Sequence, residues 1–74
     1  MKREEKAFLL DSVEGFESEA DDAFATLENL AIDMAETPGV KRLATKAREA
    51  ARLCEELCRA LSEKSERLQE ELDD

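Results

Sequence analysis

The sequence predicts an all-α fold, an antiparallel helical hairpin with coiled-coil-like spacing that dimerises into a four-helix bundle. Three observations predict it. Turn residues are confined to one central site, Thr37-Pro38-Gly39, apart from a lone Gly15. On either side of that site apolar residues recur at alternating steps of four and three, the 3.5-residue period of packed helices. Strict alternation of apolar and polar residues, the mark of a half-buried strand, is hard to find.

The first helix is expected over about residues 3–36. Leu9, Val13, Phe16, Ala20, Ala23, Leu27, Leu30 and Met34 fill consecutive core positions of the repeat. Asp11-Ser12-Val13-Glu14 resembles a capping box, and Gly15 weakens the turn after it, but Leu9 keeps the repeat in phase. The start therefore belongs near Arg3. Proline biases Thr37 away from helical dihedrals, so this segment ends near Glu36.

Thr37 is then expected to cap a second helix whose first position is Pro38, where a missing N–H costs nothing. That gives a loop over 37–39, a helix over about 38–72, and one hairpin domain for residues 1–74. Val40, Leu43, Ala47, Ala50, Cys54, Leu57, Leu61 and Leu68 continue the repeat, with Lys64 as the exception. A loop this short forces the helices antiparallel. Pairing residues whose numbers add to 77 sets large side chains against small ones, Leu30 with Ala47 and Ala20 with Leu57 among them. The same register sets Lys6 beside Glu71 and leaves Val13 opposite Lys64.

A single core in a chain of 74 residues rarely contributes more than about 3–5 kcal/mol net, so a partner is expected to help. The flanks of the expected seam are unequal. Leu10, Phe24 and Ala31 of the first helix lie on one flank with Ala44, Ala51, Cys58 and Leu72 of the second. Ser12, Glu19, Asp33, Lys46 and Arg67 lie on the other, with Leu53 and Ala60. A second apolar stripe has no cover in its own chain, which predicts a homodimer with Leu10, Phe24, Ala31, Ala44, Ala51, Cys58 and Leu72 at its interface.

Composition narrows the function classes. The chain carries 20 acidic and 11 basic side chains, no histidine, and a formal charge of −9. Residues 1–37 hold a net charge of −8 and residues 38–74 a net charge of −1. Such a surface repels phosphate backbones and anionic headgroups, which disfavours nucleic acid and membrane as partners. The longest apolar run, Ala7-Phe8-Leu9-Leu10, is far shorter than the roughly 18 residues of a span. A cytoplasmic protein with reduced thiols is expected.

Little chemistry can be assembled. Cys54 and Cys58 stand one helical turn apart, too far for a disulfide within a helix, and they read as small apolar packing residues. In a dimer the two pairs could meet as a metal or thiol site, with Glu17 near Cys58 as a further donor. No zinc or other cofactor is expected. No nucleophile with its base, Gly-rich phosphate loop or paired acid–base motif is present, so no catalytic residue is assigned and the chain is not read as an enzyme. Ile32, outside both stripes near Ala25, Glu28 and Ala35, is a candidate docking spot for another protein.

These observations lead to a small acidic adaptor or regulatory module that binds itself and another protein. In general plan and length, two helices joined by one short loop, the chain resembles the plasmid Rop family of dimeric hairpins. That resemblance implies an RNA-binding regulator working through its first helix. Here the first helix is strongly acidic and shares no motif with that family, which suits protein recognition better.

Overall fold

The computed structural model describes residues 2–73 and contains two α-helices, α1 (Arg3–Glu36) and α2 (Lys41–Asp73). They pack against each other along their length as a rod of 55 × 15 × 14 Å. The all-α hairpin expected from the repeat is thus present, with the first helix starting and ending where expected. Residues 1 and 74 lie outside the described residues.

The connection differs from the expected one. Thr37, Pro38, Gly39 and Val40 all precede α2, so Pro38 is a turn residue and not the first residue of a helix. Thr37 belongs to the end of α1. Its N–H donates to the Met34 carbonyl at 3.2 Å, and its hydroxyl donates to the Asp33 carbonyl at 2.7 Å. The Val40 N–H then donates to the Thr37 carbonyl at 3.3 Å, closing a turn with Pro38 and Gly39 at its centre. Gly39 has φ of +97°, the left-handed value that the third residue of a type II turn requires. The Pro-Gly pair is better suited to that turn than to a helix start.

The seam between the helices is lined by Leu10, Val13, Ala20 and Ala31 of α1 and by Ala44, Ala47, Ala51 and Leu68 of α2. Its two ends are built differently. At the open end Leu10, Val13 and Leu68 form an apolar cluster, joined by Leu9, Leu61 and Leu72, and Leu68 is only 2% exposed. Toward the loop the buried residues are alanines, which allow two backbones to approach closely. Lys6 and Glu71 meet at 3.7 Å at the open end, in the register the sequence predicts.

Candidate functional site

Burial moves the seam by one stripe. Val13, Ala20, Ala47, Cys54, Leu61 and Leu68 face the other helix as expected, but the residues that complete the stripe do not. Leu10, Ala31, Ala44 and Ala51, expected to meet a second chain, are buried by the hairpin itself. Phe24, Cys58 and Leu72 are half-buried beside them, and Leu72 packs on the open-end cluster. The seven residues named for a dimer interface are therefore mostly occupied inside one chain.

The residues they displace are on the surface. Phe16 is 54% exposed, Leu30 46%, Leu43 47% and Leu57 53%. Phe16, Ala23 and Leu30 follow one another at heptad spacing on α1, as do Leu43, Ala50 and Leu57 on α2, so each set forms a line along one side of its helix. The two lines share a flank. Phe16, Ala20 and Ala23 line one wall of a groove of about 420 Å³, and Cys54, Leu57 and Leu61 line the other. Lys64 continues this exposed line, which removes the misfit expected opposite Val13, since Val13 is covered by the open-end cluster instead.

The reason lies in side-chain size. Both stripes are apolar, but the one carrying Ala31, Ala44 and Ala51 allows closer backbone approach than the one carrying Phe16, Leu30, Leu43 and Leu57. The helices pack on the small stripe, and the large one is left to the outside. Recurrent alanine at seven-residue spacing was the available signal, and it marks the seam within the chain rather than a second contact.

The opposite flank is different in character. A groove of about 310 Å³ runs beside Phe24 and Ile32 and is edged by Glu28, Arg48, Arg52 and Glu55. Ile32, the expected docking residue, is exposed there. Farther toward the open end, Glu17, Asp21 and Cys58 line a second hollow of about 340 Å³, as the antiparallel register implies for Glu17 and Cys58. Glu17 Oε1 is enclosed and finds no hydrogen-bond partner among the described residues. The Cys58 thiol is pushed up from its ordinary value of 9.0 to about 11, first by loss of solvent and then by the neighbouring Asp21 carboxylate. Such a thiol is protonated and weakly nucleophilic at neutral pH.

Both cysteines are free, and Cys54 donates its S–H to the Ala20 carbonyl oxygen. Among the described residues no group of three or more His, Cys, Asp or Glu is placed to hold a metal ion. Among the described residues no helix is long and apolar enough to cross a membrane. On the surface of α2, Arg52 pairs with Glu56 at 3.1 Å and Arg59 with Glu55 at 2.7 Å.

Fold and surface together define an acidic helical hairpin with one uncovered apolar flank and one charged groove. Compared with family models, with curated proteins and with solved structures, the chain matches none.

Proposed function

We propose that this protein is a binding module of the adaptor or regulatory kind, not an enzyme, and that its working form is a homodimer built as a four-helix bundle. One observation carries the reading. The flank of Phe16, Leu30, Leu43 and Leu57 exposes four large apolar side chains in two aligned rows, with a groove between Phe16 and Leu57. Covering the exposed half of each contributes on the order of 1 kcal/mol, a large share of the stability of so small a domain. A second helical pair presents the matching shape, because its own flank has the same two rows.

Self-association through this flank leaves the opposite one free. There the Phe24 and Ile32 side chains stand in a groove bordered by both signs of charge, suited to an amphipathic helix or strand of another protein. The exposed carboxylates of α1, Glu14, Asp21, Asp22 and Glu28 among them, support a protein or basic-peptide partner over RNA. Free thiols suit a reducing compartment, and a cytoplasmic location follows from this reading.

The test of partner binding is affinity capture from the native cell with the unaltered chain and with Ile32→Lys, followed by identification and reconstitution of the captured protein. The partner should be lost with Ile32→Lys while circular dichroism stays unchanged. Equal recovery with both chains would place partner recognition elsewhere.

A further inference from the structure

We infer that the copy covering the open flank lies with its loop at the same end, helix α1 of each chain over helix α2 of the other, about a twofold axis running along the helices. This rests on the self-association proposed above and adds its geometry. The apolar flank is bordered by opposite charges on its two edges. Glu19 and Asp33 edge it on α1, and Lys46 and Arg67 edge it on α2. All four are exposed, and among the described residues none of them has an ion-pair partner.

Two hairpins placed flank to flank can be related in two ways. An axis across the helices sets α1 on α1 and α2 on α2, so each edge meets its own sign. An axis along the helices exchanges the edges, and each acidic edge meets a basic one. The register fixed by Lys6 and Glu71 sets Lys46 level with a point two residues from Asp33, about 3 Å of helical rise. Exchange of edges therefore brings Asp33 of each chain opposite Lys46 of the other, twice per dimer. The overall balance points the same way, since residues 1–37 carry −8 and residues 38–74 carry −1, and stacking α1 on α1 concentrates the like charge. The apolar rows also match in height: Leu30 of one copy falls between Leu43 and Ala50 of the other, and Phe16 between Leu57 and Lys64.

Spin labels at Glu36→Cys, in a chain with Cys54→Ser and Cys58→Ala, read the arrangement by pulsed dipolar spectroscopy. Same-end packing gives an interchain distance of about 10–30 Å, one to three interhelix spacings. A distance near the 55 Å length of the rod would overturn the arrangement while leaving the dimer intact. Sedimentation of the chain with its native cysteines gives a second reading. Asp33→Lys should weaken dimerisation about three- to ten-fold, and adding Lys46→Asp should restore it. Tighter association of Asp33→Lys would mean that like charges face each other, and the arrangement would be wrong. A native chain that stays monomeric at about 100 µM would contradict both this geometry and the self-association on which it rests, and would leave the flank to a different protein.

Discussion

The thiol of Cys54 donates across the seam to the carbonyl oxygen of Ala20 at 3.3 Å, so a side chain of α2 touches the backbone of α1 directly. Ala20 is buried at that level, with the Cys54 side chain packed against it. The same substitution should therefore have opposite consequences three residues apart. Ala20→Leu overfills the seam and should destabilise the chain by about 1–3 kcal/mol in urea unfolding. Ala23→Leu adds an apolar side chain to the exposed flank, and should leave the hairpin intact while tightening self-association. Equal losses from both would mean that Ala23 is also enclosed.

The two glycines make a second contrasting pair. Gly15 sits within α1, and a methyl group added there meets nothing within 4 Å. Gly15→Ala should stabilise the chain by about 0.5–1 kcal/mol, because alanine loses less backbone freedom in a helix. Gly39 has equally open surroundings, but its φ of +97° strains any residue with a β carbon. Gly39→Ala should destabilise by about 1 kcal/mol, through strain alone. Thermal unfolding of the two variants checks both signs.

Lys6 and Glu71 tie the open end together at 3.7 Å, with both side chains partly in solvent. An ion pair of that kind contributes about 0–1 kcal/mol. A double-mutant cycle with Lys6→Ala and Glu71→Ala should give a coupling in that range at low salt, falling toward zero in about 1 M salt. A coupling that persists at high salt would mean the pair is shielded by a neighbouring chain.

Cys58 should be the slow thiol of the folded protein. With its value raised from 9.0 to about 11, it is protonated through the neutral range, and alkylation should rise as pH passes 11 instead of 9. At pH 8 its thiolate fraction is about 100-fold lower than in the unfolded chain, and its reaction with iodoacetamide should be slower by about that factor. The linkage has a definite sign. Folding favours the protonated thiol, so this group's contribution is fully present below pH 9 and is lost as pH rises through 11. Mass spectrometry of Cys58 after timed labelling, with urea-unfolded protein as reference, measures it.

Much of this architecture is legible in the sequence, and the exception is instructive. Apolar periodicity located both helices, and Thr37-Pro38-Gly39 located the turn, because proline and glycine restrict dihedrals wherever they stand. The register is visible as well, through Lys6 and Glu71. What periodicity does not distinguish is which of two adjacent apolar stripes is enclosed. Val13, Ala20 and Leu27 belong to both, and only the alternating partners differ, Phe16 and Leu30 in one stripe and Phe24 and Ala31 in the other. Hydrophobicity favours the larger side chains, whereas close approach of two backbones favours alanine. The second preference prevails here, and the uncovered apolar face lies on the other flank as a result. Pro38 was misplaced for a related reason, since its fixed φ suits a helix start and a turn equally, and only the positive φ of Gly39 separates them.

The account turns on whether the exposed rows of Phe16, Leu30, Leu43 and Leu57 hold two chains together. Sedimentation equilibrium of the unaltered chain, Leu57→Glu and Ile32→Glu is the most direct measurement. Ile32 is also exposed but lines the groove on the opposite flank, so it controls for the added charge. The expected mass is near twice the 8.3 kDa of the chain for the unaltered protein and for Ile32→Glu, with Leu57→Glu reduced to a helical monomer. An unaltered chain of 8.3 kDa at the same concentration, or a dimer indifferent to Leu57→Glu, would contradict it.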